Sequence, residues 1–126
     1  MKLLVLMTAA AALHGVTLVT PAMAAGDVAA GEKVFGKCKV CHTVDSGGKN
    51  LVGPNLHGVI GRKAATVSGF NYSSSLAALG VTWDEANLAA YLADPRKFNP
   101  GTKMVFAGLK KQQELDDVIA YLKAAQ

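Results

Sequence analysis

The stretch Cys38-Lys39-Val40-Cys41-His42 decides how this chain folds, because it contains both cysteines of the 126-residue sequence. Two cysteines are too few for a scaffold stapled by several disulfides, and too few for a structural zinc site made of four cysteines. They lie three positions apart and therefore act as one small unit. A histidine follows the second cysteine directly.

The pattern Cys-x-x-Cys-His is the sequence that attaches haem c. Two intervening residues allow one helical turn to direct both thiols at one edge of a porphyrin, where they form thioethers with its vinyl groups. The next residue is then placed to ligate the iron. We predict one haem c, bound covalently through Cys38 and Cys41, with His42 as an iron ligand.

Three other uses of the motif stay open at this point. A thioredoxin-like redox pair has the same Cys-x-x-Cys spacing, but within a βαβ pattern that this sequence lacks. A zinc site would need a fourth ligand, and the adjacent Cys41 and His42 make tetrahedral geometry awkward. A structural disulfide between Cys38 and Cys41 is the plainest interpretation in an oxidising compartment.

Met104 is the candidate for the second axial ligand of the iron. It follows the turn Pro100-Gly101 and so lies on a loop, although methionine also serves in ordinary core packing. His57 is a less suitable ligand. Ligation by histidine and methionine closes both axial positions and raises the reduction potential, which suits electron transfer rather than catalysis. The alternative is a haem peroxidase or sensor in which Met104 can be displaced.

The first 24 residues have the pattern of an export signal. Lys2 gives a positive start, an uncharged apolar run follows, and Ala22-x-Ala24 is the small-residue pattern that signal peptidase accepts. We predict a signal peptide over 1–24, cleaved after Ala24, a single domain over 25–126 and a periplasmic location. A retained membrane anchor is the rival interpretation, which the short apolar run weakens. Loss of Lys2 lowers the formal charge from +4 to +3.

Helical patterns occupy four segments, and no pattern favours a strand pair. The segments are Asp27 to about Lys37, Ser74 to Leu79, Thr82 to about Ala93, and about Lys111 to Ala125. Thr82 and Glu85 have the spacing of a capping box, and Pro95 is expected to end that helix. Gly31 lies on the apolar face of the first helix, which predicts a close approach by another element.

Residues 43–69 are rich in glycine and have no helical or strand period. A loop of about 25 residues in a compact domain is usually functional or disordered. Its scattered apolar residues favour an ordered loop that covers a component of the core. A chain with so few helices needs a component in its core besides its own side chains, and we expect that component to be the cofactor.

Further motifs make the sequence similar to a known family. They are Gly53-Pro-Asn-Leu-His-Gly58, Gly61-Arg-Lys63, Gly69-Phe-Asn-Tyr72, Thr82-Trp83, Asp94-Pro95 and Pro100-Gly-Thr-Lys-Met104. From Gly26 to about Lys123 the chain resembles class I c-type cytochromes, especially mitochondrial cytochrome c and short bacterial cytochrome c2. The resemblance implies an all-α fold, the small class I cytochrome c fold, in which helices and long loops wrap around one covalently bound haem.

The resemblance also implies roles for residues around the haem. The Pro54 carbonyl would accept the ring proton of His42. A buried propionate would be held by Arg62, Tyr72 and Trp83, while Tyr91 and Thr102 would lie near Met104 and the second propionate. Gly31 and Phe35 would pack on the last helix near Val118 and Tyr121. The chain departs from mitochondrial members at Asn50, Leu76 and Phe98, where they often have histidine, asparagine and tyrosine.

Basic residues flank both predicted iron ligands. They are Lys37, Lys39 and Lys49 around the attachment motif, and Arg96, Lys97, Lys103, Lys110 and Lys111 around Met104. We expect them to surround the haem edge and to steer a partner with an acidic docking face. In the family such partners are a bc1-type complex and a terminal oxidase or photosynthetic reaction centre. We expect a monomer that does not span the membrane once processed and does not bind nucleic acid.

Overall fold

The structure is a computed structural model that describes residues 26–126, so the predicted signal peptide and its cleavage site lie outside the described residues. This part of the chain forms five helices: α1 (Val28–Phe35), α2 (Ser74–Leu79), α3 (Glu85–Ala93), α4 (Pro95–Phe98) and α5 (Gln112–Ala124). Its only β pairing is an isolated antiparallel bridge between Lys63 and Thr82. The all-α prediction is confirmed. None of the helices in 26–126 is long and apolar enough to cross a membrane.

Helices α1 and α5 pack at close range around Gly31, as its place in the sequence predicted. A Cβ atom at Gly31 would collide with the carbonyl group of Asp117 and would lie 2.8 Å from the Tyr121 Cβ. The Asp117 carboxylate accepts a hydrogen bond from the Asp27 backbone N–H at 2.8 Å. The rings of Phe35 and Tyr121 are 5.2 Å apart. This crossing fixes the start of the cysteine turn against the last helix.

The first helix ends earlier than its pattern predicted. It stops at Phe35 rather than near Lys37. The Lys37 N–H donates to Val34 O at 3.0 Å and the Cys38 N–H donates to Phe35 O at 2.7 Å, so each bond spans three residues instead of four. This tightening leads the chain out of α1 and into the turn that carries Cys38.

The capping box predicted at Thr82 and Glu85 is wrong. The N-cap of α3 is Asp84, whose carboxylate accepts the Asn87 N–H at 2.7 Å. Thr82 belongs instead to the β-bridge, where the next residue, Trp83, donates its N–H to Arg62 O at 2.8 Å. A long-range pairing therefore overrides the local capping pattern.

A one-turn helix, α4, was not predicted. Pro95 ends α3 as expected, but it also occupies the first turn of α4, where a proline has no N–H to leave unpaired. Asp94 accepts the Lys97 N–H at 3.1 Å and so caps this turn. The predicted short helix is confirmed as α2, with Ser73 as its N-cap and Gly80 in the left-handed region at φ 61°.

The glycine-rich stretch 43–69 has no helix and is held together by side-chain amides. Asn50 accepts the Asn55 N–H at 2.9 Å and donates to Ser68 O at 3.2 Å, which ties its two halves together. The Asn55 amide donates to the Thr43 hydroxyl at 2.7 Å. These bonds hold the segment in one conformation, as expected for a loop that forms a wall.

Candidate functional site

An apolar cavity of about 230 Å³ lies between the long loop, α3, the Met104 segment and α5. Its walls include Phe35, Val118 and Leu122, which belong to the buried core, so the cavity reaches into the centre of the domain. All ten residues predicted to bind the cofactor line it. They are Cys38, Cys41, His42, Pro54, Arg62, Tyr72, Trp83, Tyr91, Thr102 and Met104.

The cysteine turn presents two free thiols to this cavity. Cys38 O accepts the N–H groups of Cys41 at 3.0 Å and of His42 at 2.9 Å, which closes a single helical turn. Burial raises the pKa of the Cys38 thiol, and the nearby Lys37 charge lowers it less. Reactive redox thiols have depressed pKa values, so this environment argues against a thioredoxin-like pair.

The zinc interpretation finds no support in the geometry. Within residues 26–126, no three side chains of the types His, Cys, Asp or Glu converge as a metal site of that kind requires. The motif therefore presents its thiols and imidazole to a cavity rather than to each other.

His42 is oriented by a backbone carbonyl, as the resemblance implied. Its Nδ1 lies 2.7 Å from Pro54 O, and in the tautomer that donates this bond the lone pair of Nε2 is free. Burial lowers the pKa of His42, which favours the neutral ring. A Cβ at Gly53 would lie 2.7 Å from both ring nitrogens, so only glycine leaves room for this orientation. A neutral, fixed imidazole is the form that ligates a metal.

Met104 lies in a small hydrogen-bonded cluster on the cavity wall. The Tyr91 hydroxyl is 3.3 Å from the Thr102 hydroxyl and donates to Met104 Sδ at 3.9 Å. The Met104 N–H donates to Thr102 Oγ1 at 3.2 Å. Burial raises the pKa of Tyr91, which keeps the hydroxyl protonated as a donor. The structure therefore places Tyr91 and Thr102 beside Met104.

A polar corner of the cavity is suited to an anionic group. Arg62 donates to His57 O at 2.9 Å and to Asn55 O at 3.2 Å, which holds its guanidinium in the wall. The Tyr72 hydroxyl accepts the Val67 N–H at 3.1 Å, so its own proton is available to a ligand. Cation and hydroxyl on one apolar wall fit a carboxylate such as a haem propionate.

Several residues of the cavity wall were not predicted from the sequence. They are Val52, Ala65, Phe70, Ser73, Val105, Phe106 and Leu109. Ala65 has a φ of 60°, a left-handed conformation that alanine rarely adopts. For Phe70, the only sequence feature that indicated a place near the cofactor was the motif that begins at Gly69. These residues come from loops without periodicity, where no local pattern indicates which side chains face inward.

The basic residues predicted to dock a partner are all exposed, but three have partners within the chain. Lys37 forms an ion pair of 3.0 Å with Glu114. Lys103 donates to Tyr72 O at 3.4 Å, and Lys110 donates to Ala93 O at 2.9 Å. Of these basic residues, Lys37 and Lys103 also line the cavity.

The residues present fit haem c. Two thiols three positions apart, a neutral imidazole, a thioether and an anion-binding corner all face one apolar cavity, which matches the chemistry of a porphyrin with an iron centre and propionates. When bound, the haem supplies one-electron redox chemistry. The protein residues bind and orient it and keep water from it.

Comparisons with known proteins agree with this assignment. A sequence model of the cytochrome c family matches residues 28–126. Cytochrome c-554 of Methylosinus trichosporium is 48% identical over 122 residues, covering 97% of this chain and 92% of the relative. Cytochrome c2 of Blastochloris viridis is 50% identical over 105 residues, covering 83% of this chain and 82% of the relative.

A solved structure has the same fold. Cytochrome cH from Methylobacterium extorquens is 52% identical, with a TM-score of 0.74, and the match covers 79% of this chain and 99% of the solved one. Together with the cavity and its thiols, these matches identify the chain as a member of the cytochrome c family, a class I c-type cytochrome that carries haem c through Cys38 and Cys41 and transfers electrons rather than acting as an enzyme.

Proposed function

We propose that this chain is a soluble periplasmic electron carrier whose haem iron is ligated by His42 and Met104. One observation carries the ligand assignment: both side chains line the same cavity and each is held by its own hydrogen bond, from His42 to Pro54 O at 2.7 Å and from Tyr91 to Met104 Sδ at 3.9 Å. Met104 is the only methionine in 26–126, so no other thioether competes for the site.

Ligation by these two side chains explains why the function is electron transfer. An iron with both axial positions closed has no site for oxygen or peroxide. The soft thioether favours ferrous iron and raises the potential. The Tyr91 hydroxyl donates to the Met104 sulfur at 3.9 Å, which helps to hold the thioether in the cavity wall.

We place the mature domain at residues 25–126 after removal of a signal peptide at 1–24. The pattern around Ala22 and Ala24 supports this processing. The match to the solved cytochrome cH covers 99% of that chain but only 79% of this one. The latter is close to the fraction of this chain that follows Ala24. Cytochrome c-554, by contrast, aligns over 97% of this chain.

The partners we propose are membrane redox complexes with acidic docking faces. A bc1-type complex would supply electrons, and a terminal oxidase or photosynthetic reaction centre would accept them. The exposed basic side chains, of which Lys37 and Lys103 line the cavity, support this proposal, because opposite charge steers encounter and gives fast, transient complexes. We expect the carrier to act as a monomer.

Absorption spectra of the oxidised and reduced protein test the ligand assignment. The wild-type protein, expressed with a maturation system, should have sharp c-type bands when reduced and the weak red methionine–iron band when oxidised. Met104→Leu should keep the c-type bands and lose the red band, while His57→Gln should keep both. A wild-type protein that lacks the red band, or a red band that survives Met104→Leu, would overturn the proposal.

A further inference from the structure

We propose that Lys110 is a positioning residue for the iron ligand Met104, because it holds the segment after Met104 against the end of α3. The proposal rests on the proposed function, since it takes Met104 as the second axial ligand. The Lys110 Nζ donates to Ala93 O at 2.9 Å. The Leu109 N–H donates to Leu92 O at 2.8 Å. This pair of hydrogen bonds is here called the clasp.

The clasp occupies backbone acceptors that α3 cannot satisfy by itself. Leu92 and Ala93 are the last two residues of α3, and the carbonyls of a helix's final turn have no N–H partner within their own helix. Within Glu85–Ala93, the last turn contains no basic side chain. Lys110 therefore supplies, from outside the helix, the positive charge that is favourable at a helix C-terminus.

The segment approaches α3 most closely at Gly108. A Cβ at Gly108 would collide with the Ala93 carbonyl and would lie 3.1 Å from Lys110 Nζ. The φ of Gly108 is 107°, a conformation that favours glycine. Leu109 is 3% exposed and belongs to the core, whereas Lys110 is exposed. A close backbone contact and a buried side chain thus place the Lys110 ammonium over the end of the helix.

The clasp joins the same two parts of the chain that meet at Met104. Tyr91 precedes Leu92 in the last turn of α3, and its hydroxyl donates to Met104 Sδ at 3.9 Å. Met104 and Lys110 both lie in the helix-free segment 102–111. This segment is therefore attached to α3 at two places, at the sulfur and at the clasp. Loss of the clasp would free one of these attachments, so the thioether would leave the iron more readily.

A neighbouring lysine allows positioning to be separated from docking. Lys110 and Lys111 are both exposed, and both were expected to attract an acidic partner. The Lys111 side chain does not cap α5, the helix that it precedes. Loss of either lysine removes one positive charge, but only loss of Lys110 opens the clasp.

Imidazole binding to the oxidised protein measures how readily Met104 leaves the iron, because imidazole occupies that position only after the thioether has left it. The variants are Lys110→Met, which removes the cation and keeps an unbranched side chain, and Lys110→Arg, which keeps the cation. Lys111→Met is the matched control for charge, and Gly61→Ala is the control for a general loss of stability. Exchange of the Leu109 amide hydrogen reports the clasp itself.

We expect Lys110→Met to lower the Kd for imidazole about threefold and to speed Leu109 amide exchange about threefold, since a cation at a helix C-terminus has effects of this size. Lys110→Arg, Lys111→Met and Gly61→Ala should keep the Kd within about 1.5-fold of the wild-type value, because they leave the clasp intact. A wild-type protein without the red methionine–iron band would contradict the proposed function itself.

Three results would overturn the role of Lys110 while leaving the ligand assignment standing. The first is a Lys110→Met protein in which either the Kd for imidazole or the Leu109 exchange rate equals the wild-type value. The second is a Kd as low in Gly61→Ala as in Lys110→Met, which would assign the effect to general stability. The third is a Kd as low in Lys111→Met or Lys110→Arg, which would show that the cation at the end of α3 is not the cause.

Discussion

Replacement of Gly53 by alanine tests how the protein orients His42. The added Cβ would lie 2.7 Å from both ring nitrogens of His42, closer than a methyl group can approach a ring. Gly53 has no left-handed backbone conformation, so the effect comes from the collision and not from strain in φ. The ring must move, and its bond to Pro54 O, 2.7 Å long, must lengthen or break.

We expect Gly53→Ala to lower the free energy of unfolding by about 2–4 kcal/mol. Overpacking a filled site typically costs about 1–3 kcal/mol, and a lost hydrogen bond adds about 1 kcal/mol. Guanidinium unfolding of the oxidised protein, followed by circular dichroism, measures the loss of unfolding free energy. A redox titration measures the reduction potential of the haem.

Gly61→Ala is the control for this experiment, because a Cβ at Gly61 meets nothing within 4 Å. Its φ of 82° costs alanine about 1–2 kcal/mol of backbone strain, but His42 is untouched and the potential should stay at the wild-type value. If Gly53→Ala loses no more stability than Gly61→Ala and keeps the wild-type potential, the account of His42 orientation is wrong.

Three further substitutions probe the frame around the site. Gly31→Ala places a methyl group against the Asp117 carbonyl and should cost about 1–3 kcal/mol in denaturant unfolding; a neutral result would contradict the close packing of α1 and α5. Ala65→Gly removes a left-handed alanine and should stabilise the protein by up to about 1 kcal/mol, seen as a higher Tm. Asn50→Ala breaks the bonds to Asn55 and to Ser68 O and should cost about 1–2 kcal/mol, with faster proteolysis in the long loop.

The sequence predicts an element well where its signals are local. The short helix expected over Ser74 to Leu79 is α2, and the residues that cap it in the structure, Ser73 and Gly80, are its immediate neighbours in sequence. At Thr82 the local pattern failed because the bridge to Lys63 engages that segment, and Asp84, two residues on, makes the cap. Propensity alone does not report such a long-range pairing.

The candidate site divides in the same way. The cysteine turn is a local motif, so Cys38, Cys41 and His42 could be assigned from spacing alone. The bond from His42 to Pro54 joins residues twelve positions apart, and it was expected only through the resemblance. Side chains such as Phe70 and Leu109 line the cavity from loops whose sequences have no hydrophobic periodicity, so their inward orientation could not be predicted.

Carbon monoxide binding by the reduced protein tests most directly whether both axial positions of the iron are closed. Ligation by His42 and Met104 predicts a spectrum that carbon monoxide leaves unchanged at neutral pH, and a shifted spectrum in Met104→Ala, where the sixth position opens. The Val28→Thr protein should behave as the wild-type protein does. A rapid carbon monoxide shift in the folded wild-type protein would contradict the central claim, because it would show an open site in place of a closed electron carrier.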